Sequence, residues 1–253
     1  AAAKATNSIP LEVAFFEAMG FNIWNVSDTK NPIDSKRKPL EKWSKRTVFT
    51  RELYNPQLNI GFLSGYQYRS GKYIIVLDFD LYDSESESGI NPEVKQLHRD
   101  FVELDSNSNP SKNGYYQSST CGNFGIILDI TNSPDLITFL INTGKCKIGD
   151  GLEILIKNNV VLPPSTTICK KCGVAAHRRK FIDTPSLCVA NDDITKWIIK
   201  YITAYSSKTL LKKHDKDIST FTATDESRSQ PIPQPIIQSL TDKMLFDDKQ
   251  IIK

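Results

Sequence analysis

The sequence lacks a long apolar run and an N-terminal signal segment, and it has few cysteines. None of its apolar runs approaches the roughly 18 residues that a membrane-spanning helix needs, and no charged-then-apolar signal segment opens it. Its five cysteines are too few and too unevenly spaced for a disulfide scaffold. We therefore expect an intracellular protein in a reducing compartment, whether nucleus, cytoplasm or viral factory, with no membrane partner.

A strong excess of charge is also absent, since 32 basic and 29 acidic residues leave a net charge of only +3. This total excludes a histone-like polycation, but the charge is unevenly distributed. Residues 36–46 hold six basic residues and one acid, residues 78–87 hold five acids, and residues 169–180 hold five basic residues. Each run alone is typical of a solvated loop. Together, if they converge, they indicate phosphate contacts beside a cation site.

Hydrophobic periodicity predicts a mixed α/β (α+β) fold with a mixed sheet, hairpins and flanking helices. The predicted helices cover 10–20, 91–104, 133–143 and 192–205. The predicted strands cover 22–26, 59–65, 73–80, 115–119, 123–130, 151–157 and 160–165, the last two forming a hairpin around Asn158-Asn159. We expect one domain over 1–205. Residues 206–253 are predicted to be a Pro/Ser/Thr-rich linker with a short docking helix.

Two aspartates end the most hydrophobic predicted strand, in the segment IIVLDFD. Asp78 and Asp80 are two residues apart and therefore lie on the same face of the strand. Like charges this close favour a cation between them, and hard carboxylate oxygens suit Mg²⁺ or Mn²⁺. Glu153 lies in another apolar strand, where it is either a third metal ligand or the salt-bridge partner of a lysine. Lys157, four residues on, is expected on the same face.

These segments, taken in order, resemble the primase–polymerase domains of the archaeo-eukaryotic primase superfamily, which occur in replication proteins of plasmids, phages and large DNA viruses. The similarity covers roughly residues 10–205. Its motifs are KRKPLEKW (36–43), NIGFLSG (59–65), IIVLDFD (74–80), STCGNF (119–124) and GLEILIKNNVVLPPS (151–165). It implies a primase-like core built around an RRM-like unit.

The resemblance also implies a function, namely primase and DNA polymerase activity by a two-metal mechanism. Asp78, Asp80 and Glu153 would hold two Mg²⁺ or Mn²⁺ ions, and Ser119, Asn123 and Lys157 would contact the nucleoside triphosphate. The implied partners are single-stranded or primed DNA, nucleoside triphosphates and a replicative helicase or other replisome protein. The implied DNA contacts are Lys36, Arg37, Lys42, Trp43, Lys170, Lys171, Arg178 and Arg179. Trp43 is equally well explained as a core anchor.

Two residues depart from the family pattern. Asn123 stands where the family has a histidine that contacts the nucleotide's phosphates, and an amide cannot carry a charge. Glu153 stands where the family usually has aspartate. The asparagine favours an alternative, a catalytically weakened module that binds DNA or nucleotide. A metal-dependent nuclease on another α/β scaffold and a regulatory domain with purely structural acids are further alternatives.

The cysteines pose a separate question. Cys169 and Cys172 have the two-residue spacing of half a zinc knuckle. With His177 and Cys188 they form a candidate Cys₃His zinc site, although the spacing follows no standard pattern. The alternative is a basic loop with reduced thiols, in which the neighbouring lysines favour thiolate character without a metal.

Overall fold

The computed structural model describes residues 9–82, 89–118, 123–143, 146–149, 151–168 and 177–205. These residues form an α+β domain with four helices and two sheets whose strands are almost all antiparallel. The chain divides into two units after Lys208, and every described residue belongs to the first unit. The predicted mixed architecture is confirmed at this level.

All four predicted helices are present. They are α1 (Leu11–Ala18), α2 (Pro92–Ser106), α3 (Pro134–Thr143) and α4 (192–205). Helix α2 shows why the sequence folds this way locally. Asn91 caps it by accepting hydrogen bonds from the backbone N–H groups of Glu93 and Val94, and Pro92 occupies the first helical position, where its missing N–H costs nothing. No helix among the described residues is long and apolar enough to cross a membrane.

Thirteen strands lie within the described residues. They are β1 (Ile23–Val26), β2 (Pro32–Ile33), β3 (Ile60–Leu63), β4 (Gly65–Gln67), β5 (Lys72–Phe79), β6 (Tyr115–Ser118), β7 (Phe124–Asp129), β8 (Cys146–Gly149), β9 (Leu152–Leu155), β10 (Asn159–Val161), β11 (Thr166–Thr167), β12 (His177–Phe181) and β13 (Cys188–Val189). The large sheet has the order β11-β12-β6-β7-β5-β9-β8, with β4 added to β5 and β13 added to β7. The small sheet has the order β10-β3-β1-β2.

Strand β5 lies inside the large sheet, between β7 and β9, and is buried on both faces, as its continuous apolar run predicts. Ile75 and Leu77 face a core that α2, α3 and α4 cover. Ile74 and Val76 face a second core, which the small sheet and α1 complete through residues such as Phe16. The domain is therefore layered as helices, large sheet, and small sheet with α1.

The small sheet carries a third core on its other face, where Trp24 and Leu63 pack against Leu40 and Phe49. The polar segment that follows β1 thus covers the outside of the small sheet. The structure contains strand β2 and two short 3₁₀ turns in this segment.

The predicted hairpin at 151–165 is wrong. Strand β9 pairs with β5 and β8 in the large sheet, whereas β10 pairs with β3 in the small sheet. The chain therefore passes from one sheet to the other between Leu155 and Asn159. Lys157 adopts the left-handed conformation in this passage, with φ of 54°, and is not on the strand face of Glu153 as predicted. Ordinary hairpins and sheet crossings share the same local apolar pattern, so local sequence does not separate them.

Candidate carboxylate site

Two carboxylates face each other across neighbouring strands of the large sheet. Asp78 of β5 is paired in register with Glu153 of β9. Directly opposed residues of antiparallel strands have Cβ atoms about 4.5–5.5 Å apart, so the two acids share one patch of the sheet. Asp78 alternates with Ile74 and Val76, which places this patch on the sheet face that also carries the second core.

The third acid, Asp80, follows the last residue of β5 and continues its pairing. Its backbone N–H donates to the carbonyl of Gly151 at 2.7 Å, so strand alternation keeps it on the side of Asp78. The side-chain amide of Asn123 donates to Asp80 Oδ1 at 2.8 Å, and Asn123 Oδ1 accepts from the backbone N–H of Tyr82 at 3.2 Å. Asn123 therefore fixes the position of Asp80. Its predicted contact with a nucleotide stays a prediction.

The surroundings of Asp78 disfavour its charged form. Burial raises the pKa of Asp78 from its ordinary value of 3.8 to about 6. Arg179 lowers this pKa, the charges of Asp80 and Glu153 raise it, and Lys30 lowers it. A half-buried carboxylate beside two other acids is costly to ionise. Such a group is typical of a site that a cation completes.

A tyrosine covers the sheet beside Asp78. The cross-strand row runs from Tyr116 through Gly125 to Asp78. The ring of Tyr116 occupies the place where a side chain at position 125 would stand, so only glycine fits there. Burial raises the pKa of the Tyr116 hydroxyl, Asp78 raises it further, and Arg179 lowers it. Tyr116 therefore remains a neutral phenol next to the acids.

An arginine supplies positive charge to the same patch. Arg179 lies on β12 in register with Ser118 of β6, two residues before Phe181 of the second core. Its side chain therefore projects on the sheet face of Asp78, and Nη1 donates to Thr167 Oγ1 at 2.8 Å. The neighbouring Arg178 alternates to the other face and is exposed. The two arginines, predicted together as DNA contacts, thus have different surroundings.

Sequence reasoning missed Tyr116, Lys30 and the side of the sheet on which Arg179 lies. The sequence did contain a signal for Arg179. In the segment HRRKF, Arg179 lies two residues before the apolar Phe181 and therefore shares its strand face, whereas Arg178 and Lys180 lie on the opposite face. That pattern favours a half-buried strand over the basic loop that the charge suggested. Nothing in the sequence around Tyr116 distinguishes it from the buried Tyr115.

The predicted DNA contacts before β3 lie on the segment that covers the small sheet. Lys36, Arg37 and Lys42 are exposed, as a phosphate contact requires. Trp43 packs edge-to-face on Trp24, with ring centroids 5.5 Å apart, which favours its interpretation as a core anchor. The predicted contacts Ser119, Lys170 and Lys171 lie outside the described residues, as do the candidate zinc ligands Cys169 and Cys172.

Cys188 does not belong to a zinc site with His177. Its thiol is buried and donates to Asp105 at 3.7 Å. Burial and Asp105 raise the pKa of the Cys188 thiol, whereas zinc binds the thiolate. Cys188 lies against Gly114, just before β6, whereas His177 lies two residues beyond Arg179, which is paired with Ser118 at the other end of β6. About six residues along the strand direction, or about 20 Å, therefore separate Cys188 from His177.

We expect Cys188→Ser to leave the zinc content of the purified protein unchanged, since this thiol lies in the core. The variant should lose roughly 1 kcal/mol of stability, because a hydroxyl replaces an apolar sulfur among buried side chains. Metal analysis by mass spectrometry and a thermal melt measure the two effects. A Cys172→Ser variant is the matched control, and zinc that disappears from the Cys188 variant would contradict this placement.

The donor chemistry of the site suits a hard divalent cation. Asp78 and Glu153 present carboxylate oxygens to one patch, and Mg²⁺ is commonly held by one or two carboxylates together with water and substrate phosphates. Within the described ranges, no three His, Cys, Asp or Glu side chains already converge on a common point at ligand distance.

Comparison with known proteins adds no assignment. No family model, no curated protein and no solved structure matches the chain.

Proposed function

We propose that this domain is a template-directed nucleotidyltransferase with primase and DNA polymerase activity, built on a core like that of the archaeo-eukaryotic primases. One observation carries the proposal: Asp78 directly faces Glu153 across two strands, and Asp80 follows on the same side. Nucleotidyl transfer uses carboxylates in this arrangement to hold divalent metal beside a triphosphate.

The three acids would hold Mg²⁺ or Mn²⁺, which when bound neutralises phosphate charge and lowers the pKa of an attacking hydroxyl. The chain's own residues have distinct tasks around them. Asn123 holds Asp80 in position through its amide. Arg179 offsets the negative charge of Asp78 and would contact a phosphate of the bound nucleotide. Tyr116 forms an apolar floor that limits water beside Asp78.

The predicted substrates are nucleoside triphosphates and a single-stranded or primed DNA template. The exposed basic residues Lys36, Arg37 and Lys42 would contact template phosphates, with an affinity that falls as salt rises. The sequence predicted a zinc site at Cys169, Cys172, His177 and Cys188; the parts of that site other than Cys188, and the replisome partner, remain predictions.

A second function is favoured by one contact. The side-chain amide of Asn123 donates to Asp80 and accepts from Tyr82, which leaves one uncharged N–H for an incoming triphosphate where the family histidine could offer a charged donor. That contact supports a weakened module that binds DNA or nucleotide without efficient synthesis. The two candidates share the carboxylate patch and differ in what the patch achieves.

The test is nucleotide incorporation on a primed template and on unprimed single-stranded DNA, with Mn²⁺ or Mg²⁺. We expect the wild type to extend or initiate chains and Asp78→Asn/Asp80→Asn to make no product. Asp135→Asn, an exposed aspartate on α3, is the matched control and should keep full activity. Salt-sensitive DNA binding without product would support the binding module. Degradation of the primer would support a metal-dependent nuclease and overturn the proposal.

A further inference from the structure

A pair of exposed tyrosines lies away from the carboxylate site. Tyr66 on β4 is 49% exposed, Tyr68 just after it is 46% exposed, and their rings meet edge-to-face with centroids 5.4 Å apart. Large aromatic side chains usually bury most of their surface. Two adjacent half-exposed rings therefore mark a contact surface, which we call the tyrosine platform.

The platform is held rigidly. Tyr66 is paired with Tyr73 of the central strand β5, and Asn22 binds the platform's backbone at two points. Its amide donates to the Tyr66 carbonyl at 2.7 Å, and its side-chain oxygen accepts from the Tyr68 N–H at 3.2 Å. The ring of Tyr68 stacks on the buried Phe49 with an interplanar angle of 18°. Rings fixed in this way lose little entropy when they bind a ligand.

Positive charge flanks the platform. Arg69 follows Tyr68 directly and lines a cavity of about 650 Å³ together with Arg51 and Tyr54. Arg51 pairs with Glu17 at 2.7 Å and lies over the ring of Tyr54. Within the described part of the chain, no carboxylate lies at ion-pair distance from Arg69. The cavity therefore keeps one uncompensated positive charge beside the exposed rings.

We propose that the tyrosine platform and Arg69 bind single-stranded nucleic acid. Bases stack on aromatic rings regardless of sequence, and arginine contacts the backbone phosphates between them. Tyr73, the partner of Tyr66, lies five residues along β5 from Asp78, about 17 Å away. The platform is thus a binding surface separate from the carboxylate patch. It holds a strand whether or not the carboxylates perform chemistry.

The test is the affinity of the full chain for fluorescein-labelled oligo(dT) and oligo(U) of about 15 nucleotides, read by anisotropy. We expect Tyr66→Ala/Tyr68→Ala to weaken binding by at least roughly tenfold, because stacking contributes on that order for each base. Tyr66→Phe/Tyr68→Phe keeps the rings and should bind as the wild type does. Comparing the two oligonucleotides shows whether the strand is DNA or RNA.

A second variant keeps the proposal testable if the tyrosine variant folds poorly. Arg69→Ala removes one phosphate contact and should lower the slope of log affinity against log salt by about 0.7. Ile141→Ala, at an exposed apolar position on α3, is the control and should change neither quantity. The proposal would be overturned if the folded Tyr66→Ala/Tyr68→Ala variant bound as tightly as the wild type, or if the Tyr66→Phe/Tyr68→Phe variant lost as much affinity as the alanine variant. Either result would favour a protein as the partner that contacts these rings.

This outcome is separable from that of the proposed function. Asp78→Asn should retain oligonucleotide binding while losing synthesis. A wild type that binds through the platform and makes no product would refute only the nucleotidyltransferase, and synthesis with unaffected tyrosine variants would refute only the platform.

Discussion

Replacing Asp78 with asparagine is expected to stop nucleotide incorporation and, at the same time, to stabilise the protein. Loss of a metal-binding carboxylate should cost roughly a thousandfold in rate. The gain in stability has a separate cause, since burial and two neighbouring acids disfavour the charge of Asp78. A pKa raised from 3.8 to about 6 corresponds to roughly 3 kcal/mol, and partial solvent exposure should reduce this to about 2 kcal/mol.

The stabilisation should depend on pH in a defined direction. Because the pKa of Asp78 is higher in the folded protein than in the unfolded chain, the folded protein holds the extra proton between about pH 3.8 and 6. This contribution to stability is fully present below that window and is lost as pH rises through it. The difference in unfolding free energy between Asp78→Asn and the wild type should therefore grow from pH 4 to pH 7 and then stay constant.

Urea unfolding at several pH values, in the presence of a chelator, measures this difference. The control is Asp135→Asn, which removes an exposed carboxylate from the first turn of α3 and measures what the loss of an acid outside the site does to stability. A variant that is less stable than the wild type at neutral pH would contradict the electrostatic account of the site, even if activity were lost. A functional residue that destabilises the folded protein is expected to give a variant that is more stable and less active than the wild type.

The second large effect is expected from Gly125→Ala. A methyl group at this position overlaps the ring of Tyr116, and the three nearest atoms all belong to that ring. Tyr116 is only 5% exposed and lies in the second core, so its ring has no free space to enter. We expect a loss of about 3 kcal/mol in unfolding free energy, measured by urea unfolding. Displacement of the ring should also lower activity, because Tyr116 borders Asp78.

A double variant separates this clash from general strain. In Tyr116→Leu/Gly125→Ala the ring is gone, so the cost should be well below the sum of the two single changes. Gly114→Ala is the contrasting control. Its φ is 79°, and a methyl group added there would lie 2.5 Å from both the Cys188 nitrogen and the Ile127 carbonyl oxygen. Both atoms belong to the backbone, so no side-chain change relieves the clash. Additive losses in the Tyr116/Gly125 pair would show that the ring is not the cause.

Elements with a local signal were predictable from the sequence. Helix α2 has a capping asparagine, an N1 proline and apolar residues at helical spacing, and all three act within a few residues of each other. Strand β5 is similarly predicted by its apolar run. The pairing of Asp78 with Glu153 was less accessible, because the two residues are 75 positions apart and no local rule selects strand partners.

The rest of the site depends on contacts that are distant in sequence. Lys157 was expected beside Glu153, but the chain leaves the large sheet in between, and the partner that draws β10 away is strand β3. Arg179 was grouped with the other basic residues of its segment, because net charge is counted along the chain. Its position beside Asp78 depends instead on which face of β12 it occupies. Cys188 was included in the predicted zinc site on spacing alone, and its burial against Asp105 argues against that inclusion.

We propose that Asp78 and Glu153 together hold a divalent cation. Titration of the wild type with Mn²⁺ measures this binding through the loss of the electron paramagnetic resonance signal of the free ion. We expect Asp78→Asn/Glu153→Gln to weaken Mn²⁺ binding by at least roughly tenfold, while Asp135→Asn binds as the wild type does. Equal Mn²⁺ binding by the wild type and the Asp78/Glu153 variant would contradict it.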